Sequence, residues 1–259
     1  MKVREAYEAI LFEQNKEEAP IILRDKFVYM LNKAINGYSN EKYNFYSLKQ
    51  VSDDDMGFLL ASSWSAIPYS SFNNDEPKEL LWSGSYSGPA TMVPTSTGFE
   101  ITLPDNYRHL TRLSITLSSN GVLDDCGKVL ADKEVASRRL VPDTKGFIQV
   151  TDNAYLKPSK DNVYHYFKSG NVLIVEYGGN ALYRPSMISL DYIMNPPKVN
   201  LTPEQLESEV DTSDELPFND RVAYEIINKL TASIFENTSD PRIQTFIPLN
   251  KTINEGPVQ

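Results

Sequence analysis

The chain has 259 residues, of which 41% are hydrophobic and 23% charged, the composition of an ordinary globular protein with room for a sizeable core. One large domain or two small ones fit this length. The formal net charge of −10 excludes a general nucleic-acid binder, because such a protein needs a basic face to neutralise phosphates. It leaves open a protein past which DNA slides, since an acidic wall repels phosphate.

The first forty residues predict two antiparallel helices joined by a short link. In residues 3–16 the apolar side chains recur at helical spacing with charged residues between them. Residues 17–20 break this helix, and Pro20 suits the first turn of the next one. Gly37 is the expected end of the second helix. The apolar stripe of that helix consists of Leu23, Phe27, Met30, Leu31, Ala34 and Tyr38.

The middle of the chain, from about residue 43 to residue 195, has the period of strands. Residues 62–98 are rich in Ser, Gly, Pro and aromatic residues and show no clear period, so we expect long loops or irregular strands there. Apolar runs predict strands at residues 99–103, 113–117, 147–150, 172–177 and 188–192.

Helix returns near the C-terminus. Thr202 is the predicted N-cap of a short helix and Pro203 its first residue. A longer helix follows, and the acidic residues before it favour its positive end. The apolar stripe of this longer helix consists of Phe218, Val222, Ile226, Leu230 and Ile234.

None of these terminal helices can bury its apolar stripe alone, so the simplest packing brings the first two against the last one. The predicted fold class is α+β: a helical bundle formed by the N- and C-terminal helices, with a large β-rich insertion that is sandwich-like or barrel-like. The predicted domains are a helical domain at residues 1–45 and 196–259 and a β-rich insertion domain at residues 46–195.

Motifs for catalysis or cofactor binding are missing from the sequence. His109 and His165 lack a His or Cys partner at metal-ligand spacing, so each is expected to have a surface or packing role. Residues 84–88 fail as a nucleophile elbow, because Tyr86 stands where that motif needs serine. No phosphate loop or dinucleotide fingerprint occurs. We therefore expect no catalytic residue, no cofactor and no metal ligand.

Acidic clusters leave two interpretations open. Residues 53–55 and 124–125 fit a divalent cation by charge, but they lack the spacing of a calcium loop and are better explained as helix caps or solvated turns. Residues 204–220 contain seven acidic residues and no Lys or Arg. They form either a solvated face or a surface for a partner or for passing DNA.

The chain contains one cysteine, Cys126, so no internal disulfide is expected, and the two acidic residues before it make it a poor candidate nucleophile. The N-terminal residues have no apolar signal core, and no run approaches the roughly 20 apolar residues of a membrane helix. We expect neither secretion nor a membrane partner.

Short segments spread over the chain carry a resemblance to a known family. They are residues 3–7 (VREAY), 18–20 (EAP), 32–35 (NKAI), 43–46 (YNFY), 103–110 (LPDNYRHL), 188–192 (ISLDY), 196–197 (PP), 201–202 (LT), 224–228 (YEIIN), 236–237 (EN) and 240–242 (DPR). In these segments the chain resembles the collar or ring proteins of crAss-like bacteriophages. The similarity covers both helical ends and parts of the middle, and its residues are specific to a fold rather than to a reaction.

The resemblance implies a structural virion protein in the head-to-tail connector of a short-tailed bacteriophage. Such proteins are similar to the portal-adaptor or gatekeeper proteins of other podoviruses, which combine a helical bundle with a β-rich insertion and form twelvefold rings beneath the portal. The implied partners are other copies of the chain, the portal protein, the next ring or tail-hub protein, and genomic DNA that passes through an acidic lumen without sequence-specific binding. The implied location is the virion, after assembly in the cytoplasm of the host bacterium.

The segment after the last helix is short and apolar, and we expect it to fold onto the portal on binding. Its proposed portal-binding residues are Asp240, Pro241, Arg242, Ile243, Phe246, Leu249 and Asn250. The β-rich insertion is the expected ring interface, because the chain has 15 tyrosines and tyrosine suits wet protein interfaces.

Two other classes of protein stay open. A β-rich virion module that recognises a host glycan or another tail protein would present exposed aromatic residues such as Trp64, Trp82 and Tyr86. A hydrolase that uses two carboxylates from different strands is also compatible with a sequence that lacks motifs.

Overall fold

The structure is a computed structural model that describes residues 1–16, 21–43, 57–72, 76–119, 128–129, 131–140, 157–179 and 183–237. The chain divides into two compact units, one of Met1–Leu59 with Pro196–Gln259 and one of Leu60–Asn195. The predicted boundary between residues 45 and 46 lies outside the described residues. The predicted mixture of α and β structure with a large β-rich region is confirmed.

Helices form the first unit. They are α1 (Val3–Lys16), α2 (Arg24–Tyr43), α3 (Pro203–Glu207) and α4 (Asp220–Asn237). The predicted first helix and the predicted C-terminal helices are therefore confirmed. Thr202 caps α3 in a capping box, because its hydroxyl accepts from Gln205 N while the Gln205 side chain accepts from Thr202 N.

Helix α2 differs from its prediction at both ends. It begins at Arg24, so the placement of Pro20 in its first turn is wrong. It also continues past Gly37, the predicted end, to Tyr43. The buried ring of Tyr38 packs edge-on against Phe218 at 6.1 Å, and this packing outweighs the cost of about 1 kcal/mol for glycine inside a helix.

The core of the helical unit is shared by α1, α2 and α4, as the apolar stripes predict. Leu23 is an exception, since it precedes α2 and is exposed. Ile35, which the predicted stripe omits, is buried. The Asn32 side chain fixes α2 to the chain that enters the C-terminal helices: its amide donates to Val199 O at 2.9 Å and accepts from Val199 N at 3.1 Å. The fully buried members of this core include Val3, Ala6, Ile10, Phe27, Leu31, Val222, Ala223 and Ile226.

Strands form the second unit. They are β1 (Leu60–Ala66), β2 (Lys78–Gly84), β3 (Gly88–Pro94), β4 (Gly98–Thr102), β5 (Tyr107–Ser118), β6 (Lys133–Ala136), β7 (Arg138–Arg139), β8 (Tyr164–Ser169), β9 (Val172–Glu176) and β10 (Arg184–Met194). Four of the five predicted strands correspond to β4, β5, β9 and β10, and the fifth, at 147–150, lies outside the described residues.

The ten described strands make one sheet in the order β6-β5-β10-β1-β2-β3-β4-β9-β8-β7, a nearly closed barrel. The strands at its two edges, β6 and β7, are neighbours in the chain, with Ser137 between them. Ser137 N donates to Leu113 O beside one edge, and Arg138 N donates to Val163 O beside the other, at 2.8 and 2.9 Å. This single segment therefore closes the barrel, because it pairs with β5 on one side and with β8 on the other. We call it the closing strand (residues 133–140).

Residues 62–98 contain most of β1, all of β2 and β3, and a short 3-10 helix at Tyr69–Phe72. Of the two expectations for this stretch, the one of long loops is therefore wrong and the one of strands is confirmed. In β1 the buried positions carry Ala61, Ser63 and Ser65, small residues that give no apolar period, while the exposed positions include Trp64. The small residues make room for large ones: the buried Trp82 and Tyr192 lie on the neighbouring strands β2 and β10. The pattern that defines β1 is therefore one of side-chain size rather than hydrophobicity.

Candidate functional site

The seven residues predicted to bind the portal, at positions 240–250, lie outside the described residues. The same holds for the acidic clusters 53–55 and 124–125 and for Cys126. Within the described part of the chain, no three His, Cys, Asp or Glu side chains are grouped so that they could hold a metal ion. The described helices include none that is long and apolar enough to cross a membrane.

The three aromatic residues predicted to form an exposed platform do not share one surface role. Trp64 lies on the outer face of the barrel, 46% exposed, with its indole against Gly84. Trp82 is only 1% exposed, and its indole N–H donates to Thr102 O at 3.0 Å, so its predicted exposure is wrong. Tyr86 is half-buried, and its hydroxyl donates to Asp105 at 3.1 Å. Burial and this carboxylate raise the pKa of Tyr86.

The two histidines differ in environment. His165 is 5% exposed in β8, and its Nδ1 lies 2.9 Å from the hydroxyl of Ser137 in the closing strand. Burial, with a smaller effect of Arg139, lowers the pKa of His165 to about 4. The predicted packing role of His165 is confirmed. His109 is half-buried in β5, where burial and then Arg108 lower its pKa.

The acidic run at 204–220 has local structural partners. Asp211 accepts hydrogen bonds from the backbone N and the hydroxyl of Ser213 at 2.9 and 2.7 Å, and these bonds lower the pKa of Asp211. Asp214 accepts from Asn200 N at 3.2 Å. Two of the seven acids therefore order the chain before α4, while Glu207 and Glu209 are exposed to solvent. Whether a partner uses this face stays a prediction.

An open groove runs between α2 and α4, with a volume of about 780 Å³. We call it the α2–α4 groove. The lining residues on α2 have the three- and four-residue spacing of one helical face and extend over four turns. The lining residues on α4 lie within two adjacent turns. The lining residues are Lys26, Tyr29, Met30, Lys33, Ala34, Gly37, Tyr38, Glu41, Lys229, Leu230 and Ser233.

The charges of the groove are unevenly distributed. At one end, Lys229 lies 2.8 Å from Glu41 and 3.3 Å from Glu225. Burial alone would lower the pKa of Lys229, but the hydrogen bond and charge of Glu41 outweigh it, and the pKa is raised. At the other end, the exposed Lys26 and Lys33 have no ion pair with any other described residue. That end of the groove is therefore positively charged.

The floor of the groove is low because Gly37 has no side chain. A Cβ placed on Gly37 would meet no atom within 4 Å, so the space above it is open. Ala34, one turn earlier, adds only a methyl group. The groove therefore has an apolar floor of small residues and a basic rim, which is the form of a site that receives a helix carrying a bulky apolar side chain and acidic neighbours.

The predicted helix end at Gly37 conceals this groove, because its lining continues along α2 to Glu41. The signal was present in the sequence, since Lys26, Lys33 and Gly37 fall on one helical face of a segment whose apolar stripe continues to Tyr38. Comparison with protein-family models and with curated proteins gave no match to this chain.

Proposed function

We propose that this chain is a structural ring protein of the head-to-tail connector, or collar, of a crAss-like, short-tailed bacteriophage. In this proposal about twelve copies form a closed ring that links the portal to the tail and surrounds the DNA channel. Its partners are the portal protein, the next ring or tail-hub protein, and genomic DNA that passes through without sequence-specific binding. It acts in the virion, after assembly in the cytoplasm of the bacterial host.

The observation that carries the proposal is the order of the two units along the chain. Helices from both ends of the sequence share one core, and the barrel of residues 60–195 is inserted between them. The collar and portal-adaptor proteins that the sequence resembles have this organisation, a helical adaptor domain with a β-rich insertion. The net charge of −10 also supports a role around DNA, because an acidic lumen repels phosphates and lets the duplex slide.

The proposed attachment to the portal uses the segment that follows α4. Ile243, Phe246 and Leu249 would be buried on the portal, and Arg242 would position the turn after the helix. Contacts with the portal would offset the entropic cost of fixing this segment, so assembly would be sequential.

The attachment is tested with two truncations of the full chain. Removal of residues 240–259 is expected to abolish binding to the cognate portal, while circular dichroism shows that both units still fold. Removal of residues 251–259 alone is the matched control and is expected to retain portal binding. A chain without residues 240–259 that still attaches to the portal would overturn this part of the proposal.

A second candidate function rests on one surface. Trp64 is half-exposed on the outer face of the barrel, and Leu81 on the neighbouring strand β2 is exposed. A flat aromatic and apolar face of this kind suits a host glycan or another tail protein. Binding of the purified chain to a glycan array that is lost in Trp64→Ala would favour this alternative over the connector.

A further inference from the structure

The outer face of α1 is complementary to the α2–α4 groove, since it carries acidic residues and a large apolar side chain where the groove has a basic rim and an apolar floor. Its exposed residues are Glu5, Glu8, Ala9 and Phe12, which follow one another on a single helical face. We call these four residues the α1 outer face. Phe12 is 67% exposed, an unusual position for a large apolar side chain in a helix whose other side is fully buried. None of the four lines the groove of its own chain.

We propose that the α1 outer face of one copy docks in the α2–α4 groove of the next copy, with the two helices parallel. This rests on the proposed ring, since it identifies the surfaces through which copies join. A closed ring requires a heterologous interface, in which one patch meets a different patch on the neighbouring subunit. The α1 outer face and the groove are two such patches on the same helical unit. This proposal therefore places the contact between copies on the helical unit, in place of the β-rich insertion that the tyrosine content led us to expect.

The spacing of the residues sets the orientation. Suppose that Phe12 of one copy lies over Gly37 of the next. Glu8 and Lys33 each lie four residues before these two positions, and Ala9 and Ala34 each lie three before. A parallel arrangement therefore puts Glu8 level with Lys33 and Ala9 level with Ala34. An antiparallel arrangement would instead bring Glu8 toward Glu41. Charge therefore favours the parallel arrangement, and the small residues Ala9, Ala34 and Gly37 allow close approach of the two helices.

The lengths also agree. The 14 residues of α1 span about 21 Å, and the 16 residues of α2 from Lys26 to Glu41 span about 24 Å. Glu8 is paired with Arg4 of its own helix at 2.7 Å, but the Glu8 side chain is 57% exposed, so solvent screens the pair and it contributes little to stability. Glu8 is thus able to interact with Lys33 of the neighbour without a large cost.

The contact is tested first by cross-linking. In a Cys126→Ser background, Ala9→Cys and Ala34→Cys are prepared as two separate full-length proteins, which keeps Phe12 and Gly37 in place. Mild oxidation of the mixture, alone and with portal, is expected to give a disulfide-linked dimer of the two variants, since the proposed register brings the two Cα atoms close enough for a disulfide. Ala9→Cys mixed with Lys198→Cys, a position on the same unit outside the groove, is the matched control and is expected to stay monomeric on denaturing gels.

Charge reversal gives the second test, with sedimentation velocity and ring formation on the portal as readouts. Lys33→Glu is expected to weaken association of copies about tenfold, and mixing it with Glu8→Lys is expected to restore it. Phe12→Ala is expected to weaken association roughly thirtyfold, as loss of a buried interface anchor does. Lys198→Glu, which changes the net charge equally, is expected to have no effect.

The outcomes separate this proposal from the proposed function. Rings that form on the portal but give no cross-link and are insensitive to Lys33→Glu would overturn the α1–groove contact and leave the connector standing. Copies that never associate, with or without portal, would overturn both. A cross-link from Ala34→Cys to Phe246→Cys in place of Ala9→Cys would identify the segment after α4 as the occupant of the groove and would also overturn the proposal.

Discussion

The hydroxyl of Ser137 lies 2.9 Å from Nδ1 of His165, and this hydrogen bond joins the closing strand to β8. The backbone makes the same connection, because Leu140 N donates to His165 O at 2.8 Å. His165 is buried at the place where the two edges of the sheet meet, and its lowered pKa keeps the imidazole neutral near pH 7. Protonation of His165 is therefore expected to weaken the contact that closes the barrel.

We predict that this histidine makes the barrel less stable in acid. Its pKa is about 6.5 in the unfolded chain and about 4 in the folded one, so between these values the unfolded state binds more protons. The His165 contribution to the free energy of unfolding is complete above about pH 6.5 and is lost as the pH falls toward 4. The full loss is about 3 kcal/mol.

Urea unfolding at neutral pH and at about pH 4.5 measures this effect, with His165→Asn to remove the titrating group. Between neutral pH and about pH 4.5, the free energy of unfolding is expected to fall by about 2–3 kcal/mol less in His165→Asn than in the wild type. His109→Asn is the control, because the pKa of His109 is also lowered but less strongly. An NMR titration in which His165 of the folded wild type ionises near pH 6.5 would contradict the prediction.

The same substitution is expected to destabilise the barrel to different extents at the two tryptophans of the chain. Trp82→Ala removes a buried side chain and its hydrogen bond to Thr102 O, so a loss of about 3–5 kcal/mol in the free energy of unfolding is expected. Trp64→Ala removes a half-exposed side chain from the outer face, and a loss below about 1.5 kcal/mol is expected. Urea unfolding followed by circular dichroism distinguishes the two, and equal losses would place Trp82 outside the barrel interior.

Asn32→Ala is predicted to destabilise the helical unit by about 1–3 kcal/mol, because it leaves both backbone groups of Val199 without their partner. Asn36→Ala is the matched control one turn later, since the exposed Asn36 amide donates to a carbonyl of its own helix. The comparison is made by thermal unfolding of the full chain. Equal stability of the two variants would show that the Asn32–Val199 pair has no net effect.

Replacement of glycine by alanine is expected to change stability in opposite directions at Gly98 and Gly37. A Cβ on Gly98 would lie 1.8 Å from Val175 O, so Gly98→Ala is expected to push β4 from β9 and to destabilise the barrel. Gly37→Ala fills open space within a helix and is expected to stabilise the helical unit by about 0.5–1 kcal/mol. Differential scanning calorimetry of both variants tests this, and a stabilising Gly98→Ala would contradict the packing of β4 on β9.

The elements that could be predicted from the sequence are those in which one face is uniformly apolar. The apolar stripe of α4, which in the structure runs from Val222 to Ile234, predicted that helix correctly. The alternation of Ile188, Leu190 and Tyr192 likewise predicted β10. The Thr202-Pro203 pair predicted the first residue of α3 correctly, with Thr202 as the N-cap. In each of these cases the local pattern and the tertiary packing favour the same structure.

The elements that were missed depend on partners far away in the sequence. The buried Ser63 and Ser65 of β1 are stable inside the barrel because large residues on neighbouring strands fill the space, and Ser63 also lies 3.2 Å from the Tyr192 hydroxyl. Arg138 and Arg139 of β7 are exposed and have no strand pattern, yet they pair with β8. Gly37 is helical because Tyr38 is buried next to it. Periodicity in one segment contains none of this information.

The central claim, that copies of this chain form a ring on the portal, is tested most directly by native mass spectrometry. The purified full-length chain is measured alone and then mixed with the portal protein of the same phage. The connector account predicts one fixed stoichiometry of about twelve copies per portal ring, lost on removal of residues 240–259. A chain whose mass is unchanged by the portal at any mixing ratio would contradict it.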